Sequence, residues 1–231
     1  GLKEGKTTGF IPKSEYIKRK DEFENQDPHQ LKYNFDQSCN LRCPSCRLTF
    51  INYEGKERQR TEELIQNIED QMGDQLTHIE CTGSGDAFFS RTFRKWMMGF
   101  DPTKYTKLES IHLHTNAILW NESNWVRMKN VHRYVKSCEI SVDAACKDTY
   151  ENKTRLGGKW DKLMDNLDYI SNIPTLKNVT LSFVVQNNNY TEMKDFYNLA
   201  GKIFGGKGKE WSVFYNRVGN WGHWSQEKFN C

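Results

Sequence analysis

The sequence predicts an α/β fold with parallel strands, on three observations. Short segments of strand-like alternation recur six times along the 231 residues, helical-period segments separate them, and the unusual polar residues fall directly after the strands. Strand then helix, repeated and ending on a strand, calls for parallel strands joined by right-handed crossovers. An open doubly wound sheet and a barrel, or part of one, both satisfy that order. In either, ligands gather at the carboxyl ends of the strands. The length suits one large domain with room for a small appendage.

Residues 1–30 are polar and charge-mixed, with the run KSEYIKRKDEFEN and then Asp27-Pro28, and read as an extension or a short helix laid on the outside. LKYNFDQ is the first strand, and residues 38–60 read as a loop rich in Cys and Arg, with a Gly. Thr61 reads as an N-cap, with Leu64, Ile65, Ile68 and Met72 on one helical face. THIECT is the second strand, ended by the turn signal at Gly83-Ser84-Gly85, and Phe93, Trp96 and Met97 mark a short helix. SIHLHT is the third strand, followed by a helix from about Glu122 to Val135, and CEISV is the fourth strand. Leu163, Met164, Leu167 and Ile170 form the next helical face, after the Gly157-Gly158 break. VTLSFVVQ alternates most cleanly, Thr191 reads as the cap of a helix carrying Met193, Phe196, Leu199, Ala200 and Ile203, and WSVFYN is the sixth strand.

With 33 Lys and Arg against 30 Asp and Glu, a net charge of +3 gives no single-sign field, so a polyanion partner is not indicated. No run of eighteen apolar residues is present, and GLKEGKTTGFIPK lacks the apolar core of a secretory signal, so no membrane partner and a cytoplasmic location are expected. Seven cysteines, an odd number, suit a reducing compartment in which thiols are ligands or core residues. Cys81, Cys138 and Cys146 read as core thiols.

Cys39, Cys43 and Cys46 lie within eight residues of one loop, close enough to meet at one metal centre. Thiolates at this spacing suit zinc or an iron–sulfur cluster. A closed structural zinc site needs a fourth ligand, and no second cysteine pair supplies one; three ligands leave an open position. The competing reading is three free thiols around Pro44. Further polar residues follow the later strands: Gly83-Ser84-Gly85-Asp86, Asn116, Ser141 with Asp143, and Gln186. Gly-Ser-Gly-Asp alone is an ordinary turn, Asp143 alone an N-cap, Arg155 alone a solvated cation, and Gln186 alone a strand-end cap.

Taken together, CNLRCPSCR, ECTGSGDAF, HTNA and SVDAACKDTYENKTRLGGKWDKLMDNL resemble the corresponding stretches of radical S-adenosylmethionine (radical SAM) enzymes with a C-terminal SPASM or twitch extension. The resemblance runs from about Leu31 to Asn216. It implies a partial (β/α)6 TIM-type barrel over residues 31–216, an N-terminal extension over 1–30, and the start of a SPASM/twitch-like extension over 217–231. It further implies that Cys39, Cys43 and Cys46 hold a [4Fe–4S] cluster whose fourth iron chelates SAM. Reductive cleavage of SAM then yields a 5′-deoxyadenosyl radical that abstracts hydrogen from a substrate. By the same resemblance, Gly83, Ser84, Gly85 and Asp86 meet the methionine ammonium, and Asn116, Ser141 and Asp143 meet the methionine and ribose. Arg155 pairs with the SAM carboxylate, and Val185 and Gln186 contact adenine and ribose. Ser45 stands where the family carries an aromatic residue against adenine, so that stacking must come from elsewhere. An electron donor such as flavodoxin or ferredoxin is the implied protein partner.

Strand alternation that turns Asn116, Ser141 and Asp143 inward also turns His112, His114, Glu139, Thr180, Ser182 and Gln186 inward. That lining predicts a polar substrate, such as a peptide, sugar or nucleoside, and the resemblance to SPASM-type members puts a peptide or protein first. A zinc-stabilised nucleic-acid-binding module is the reading from another class; the near-neutral charge argues against it. Trp211, Trp221 and Trp224 read as packing residues. The single Cys231 in the tail RVGNWGHWSQEKFNC holds no auxiliary cluster by itself.

Overall fold

The computed structural model describes residues 13–18, 29–47 and 49–219. Six strands form one sheet in the order of the sequence: β1 (Gln30–Tyr33), β2 (His78–Cys81), β3 (Ser110–Thr115), β4 (Val135–Ser141), β5 (Asn178–Val185) and β6 (Glu210–Arg217). All five neighbouring pairs are parallel. A strand order that never reverses keeps every right-handed crossover on the same side, whereas a doubly wound sheet reverses its order and covers both faces. The chain therefore forms an α/β partial barrel of the TIM type, with helices outside and one concave face.

The helices are α1 (Lys13–Lys18), α2 (Gly55–Met72), α3 (Arg91–Met98), α4 (Glu122–Val126), α5 (Lys147–Thr149), α6 (Trp160–Ser171) and α7 (Met193–Phe204). Alternation along the strands sorts the two faces. Ile79, Cys81, Ile111, Leu113, Cys138, Ile140, Val179, Leu181 and Phe183 are buried in the core. Burial of each such aliphatic or aromatic side chain stabilises the fold by roughly 1.5–3 kcal/mol. The other parity carries His78, Glu80, His112, His114, Ser137, Glu139 and Ser141, all partly exposed. They are bonded across the strands: His78 Nδ1 to Ser110 Oγ at 2.7 Å, His112 Nδ1 to Ser137 Oγ at 2.8 Å and His114 Nε2 to Ser141 Oγ at 2.9 Å. The sheet thus presents a polar concave face, as the alternation predicts.

Four local expectations are corrected. The second helix starts at Gly55, six residues before the expected cap, and Thr61 lies inside it. The Thr61 hydroxyl meets Arg58 O and Thr92 Oγ1, so it ties α2 to α3. The helix expected up to Val135 stops at Val126; Met128, Val131 and Tyr134 bury at a helical spacing but on successive turns, and Val135 already belongs to β4. Thr191 sits in a 3₁₀ turn, Tyr190–Glu192, rather than capping α7. Cys81 and Cys138 are buried, but Cys146 is exposed, because it precedes α5 on the outer rim and its thiol meets Glu192. Trp211 packs against the core as expected, whereas Trp221, Trp224 and Cys231 lie outside the described residues. Among the described residues, no helix is long and apolar enough to cross a membrane.

Candidate functional site

Parallel strands place the loops after β1 to β5 on one rim. Backbone strain gathers there: Thr82, Ala117 and Asp143 have φ of 111°, 59° and 62°, and each lies within two residues of the end of β2, β3 or β4. Such conformations cost of order 1–3 kcal/mol in non-glycine residues and mark functional rims.

The cysteine loop is fixed to that rim at several points. Cys39 N donates to Ile51 O at 3.0 Å, Asp86 N to Ser38 O at 2.9 Å, and Arg42 N to Leu156 O at 3.0 Å. Arg47 donates to Gln37 O and to Ser84 O, both at 2.7 Å, and so joins the loop to the turn after β2. Each thiol has an N–H pointing at it: Leu41 N and Asn116 Nδ2 at 3.5 and 3.7 Å from Cys39 Sγ, Arg155 Nη1 at 3.5 Å from Cys43 Sγ, and Arg47 Nη2 at 3.6 Å from Cys46 Sγ. Burial, with Asp86 nearby, pushes the Cys39 thiol up to about 12, and burial raises Cys43 against the pull of Arg155.

Gly85 is required by the loop itself. A Cβ there would lie 2.5 Å from Asp36 O and 2.7 Å from Ser38 O, both backbone atoms. Asp86 is fully buried, and its carboxylate accepts from Phe88 N, Phe89 N, Thr115 Oγ1 and Asn116 N at 2.8–3.0 Å. Every lone-pair direction of Asp86 is thus engaged within the protein, and its work is to hold the turn to the end of β3. Ser84 offers its carbonyl to Arg47, while Gly83 reaches the cleft. Asn116 is buried, donates to Cys39 Sγ and Asn40 Oδ1, and accepts from Ile118 N.

Asp143 and Arg155, which the resemblance aims separately at ribose and carboxylate, both stand on the wall of the cleft and also face each other. Arg155 Nη2 lies 2.8 Å from Asp143 Oδ2, with side chains 11% and 2% exposed, and Asp143 Oδ1 accepts Val184 N at 2.7 Å. Burial acts first on both, raising the Asp143 carboxyl; for Arg155, Asp143 and Cys43 outweigh burial and hold the guanidinium above its ordinary value. A π-helical turn, Tyr150–Thr154, delivers Arg155, whose N–H closes on Tyr150 O at 2.9 Å. Val185 turns its side chain into the core, because it has the parity of Phe183, and its carbonyl accepts Val218 N, so the structure does not bring it to the cleft. Gln186 is buried beside it, with Nε2 unpartnered.

What remains is a cleft of about 250 Å³ whose lining includes Cys43, Ser45, Cys46, His114, Glu139 and Ser141. Ser182 Oγ lies 3.3 Å from Ser141 Oγ, and His114 Nε2 lies 3.7 Å from Glu139 Oε1. Burial lowers His114, which favours the neutral imidazole, although Glu139 opposes it. Phe214, 51% exposed, and Arg217 close the far side from β6. Arg47, Phe214 and Arg217 went unnoticed as site residues in the sequence; Arg47 had the one available signal, a cation directly after a thiol.

Among the described residues, no three His, Cys, Asp or Glu side chains are gathered as they are around a single ion. The donor set fits an iron–sulfur cluster nonetheless. Three thiols in one loop, each with an N–H aimed at sulfur, match thiolate ligands whose charge is spread over several irons.

No protein-family model and no curated protein matches the chain. Solved structures share its fold. Streptococcus suis SuiB bound to S-adenosylmethionine aligns with a TM-score of 0.60 at 13% identity, over 94% of this chain and 47% of that one. SuiB bound to precursor peptide SuiA gives 0.58 at 14%, over 87% and 42%, and anSMEcpe with bound AdoMet gives 0.55 at 17%, over 83% and 51%. The chain has the partial-barrel fold of these proteins. It spans about half the length of each.

Proposed function

We propose that this chain is the catalytic core of a radical SAM enzyme acting on a polar substrate, in the first place a peptide or protein. The observation that carries the reading is the rim itself: three cysteine sulfurs, two with an N–H donor from a distant element, Asn116 and Arg155, and the third with Arg47 of its own loop, beside a polar cleft in a partial barrel. When bound at Cys39, Cys43 and Cys46, a [4Fe–4S] cluster would supply one electron to the sulfonium of SAM and so a 5′-deoxyadenosyl radical. The remaining work belongs to the protein. Gly83, on the cleft wall and without a side chain, leaves room for the methionine end of SAM, and Ser141 and Ser182 offer hydroxyls to ribose or substrate. Asp86, Asn116 and the Asp143–Arg155 pair hold these groups in place.

The hydrogen-bonding groups that line the cleft favour a polar substrate, and a peptide is placed ahead of a sugar or nucleoside because two of the similar folds were solved with peptides, SuiB with SuiA and anSMEcpe with the Cp18Cys peptide. Residues 217–231 are read as the start of a SPASM/twitch-like extension, and a flavodoxin or ferredoxin in the cytoplasm as the electron donor.

The test is anaerobic reconstitution with iron and sulfide, reduction in the presence of SAM, and assay for 5′-deoxyadenosine. A Cys39→Ala, Cys43→Ala, Cys46→Ala triple variant runs beside it. Product from the wild type alone is expected. Retention of stoichiometric zinc in place of iron would overturn the reading and bring forward a zinc-stabilised nucleic-acid-binding module.

A further inference from the structure

We propose that the buried Arg155–Asp143 ion pair sets the reduction potential at the cysteine site through the sulfur of Cys43, Arg155 raising it and Asp143 holding it down. The inference rests on the cluster reading above and goes beyond it, since it gives both residues a role other than contact with SAM.

The geometry is specific. Arg155 reaches Cys43 Sγ with Nη1 at 3.5 Å and Asp143 Oδ2 with Nη2 at 2.8 Å, so one planar fork bridges the thiol and the carboxylate. Both partners are almost fully buried, where charges interact more strongly than in water. The fork is held from behind. Arg155 N donates to Tyr150 O, Gly158 N to Arg155 O at 2.8 Å, and Leu156 O accepts Arg42 N from the cysteine loop. Gly158 has no room for a side chain, as a Cβ would lie 2.5 Å from the Tyr150 ring. Asp143 is pinned as well, in the left-handed region and by Val184 N.

Reduction by one electron adds negative charge that the coordinating sulfurs share. A guanidinium N–H on Cys43 stabilises that charge and raises the potential, because hydrogen bonds to sulfur and net charge are the protein's main levers on such centres. Asp143 cancels most of the guanidinium's net charge, so the pair gives a directed hydrogen bond with little excess field. The two residues therefore act with opposite sign, which a merely structural role would not produce.

The experiment uses the full chain, reconstituted anaerobically with iron and sulfide and without SAM, and titrated with dithionite and mediators under EPR detection. Arg155→Met should shift the midpoint potential down, Asp143→Asn should shift it up, and the double variant should lie between them. Equal potentials, or shifts of the same sign, would overturn the proposal while leaving the cluster reading intact. Should Arg155→Met lose iron, Asp143→Asn decides alone: an upward shift supports the proposal and an unchanged potential overturns it. A wild type that holds no cluster overturns both readings.

Discussion

The carboxylate of Asp86 accepts the backbone N–H of Asn116 at 2.8 Å, joining the turn after β2 to the residue that follows β3. The same carboxylate takes the Thr115 hydroxyl and two N–H groups of its own turn. Asp86→Ala would leave Phe88 N, Asn116 N and the Thr115 hydroxyl unpaired at about 1–3 kcal/mol each, while Phe89 N keeps the Asp86 carbonyl. The expected loss of stability is several kcal/mol. At roughly 2–4 °C per kcal/mol for a domain of this size, thermal unfolding should fall by about 10 °C. A melt within about 2 °C of wild type would show that the turn is held by other contacts, such as Asp86 N to Ser38 O.

Asp86 also shows how far the sequence could be read. Its place after the second strand was legible, because a Gly-rich turn after a strand marks the rim whatever the family. Its distant partners were not, since Thr115 ends β3 and Asn116 follows it, 29 and 30 residues away. The same divide recurs at Asp143 and Arg155. Each was legible as a polar residue at a strand or loop end, but nothing local says that they bind each other. The strands and the polar parity of His112, His114 and Glu139 were readable because alternation is local. The start of α2 was not, because Thr61 has the chemistry of a cap and uses it to bond a neighbouring helix.

The concave face gives the protein a pH dependence. Burial lowers His112 and His114, which favours their neutral forms in the fold; for His112, Glu80 and Glu139 pull the other way against His114 and His78, and for His114, Glu139 and Glu80 oppose Arg155 and Lys32. The unfolded chain takes up these protons near the ordinary value of about 6.5, and the folded chain only at lower pH. Their stabilising share is therefore complete above about pH 6.5 and lost on acidification through the window beneath it. Unfolding midpoints of wild type and a His112→Gln, His114→Gln variant between pH 5 and 7.5 should converge at the acidic end. Parallel curves would remove these histidines from the account.

Gly85 makes a prediction about assembly of the cysteine site. In Gly85→Ala, the new methyl meets Asp36 O and Ser38 O, and Asp36 cannot retreat easily because its carboxylate holds Ser38 N and the Ser90 hydroxyl at 2.8 and 2.6 Å. Overpacking of this kind costs about 1–3 kcal/mol. Because the strain falls at the root of the cysteine loop, iron retained after reconstitution should fall with it. Gly206→Ala is the control: φ is +72° and nothing lies within 4 Å, so a cost of about 1–2 kcal/mol with unchanged iron is expected. Equal iron in both variants would uncouple the turn from the site.

Phe214 is the aromatic ring that the cleft offers on β6, and it shares that cleft with Ser45, which stands where an aromatic residue is expected against adenine. Its backbone pairs with Ser182, whose hydroxyl reaches Ser141, so the ring sits in the same layer as groups proposed to meet ribose or substrate. At 51% exposure it adds little to the core, and Phe214→Ala should change stability by no more than about 0.5 kcal/mol. Stacking of a base on an aromatic ring contributes about 1–3 kcal/mol, so SAM affinity should weaken by about fivefold to about a hundredfold. Phe214→Tyr, which keeps the ring, should bind as wild type does. Calorimetric titration of the reconstituted proteins with SAM separates the outcomes. An unchanged dissociation constant for Phe214→Ala would take Phe214 away from adenine and leave its exposed face to the substrate.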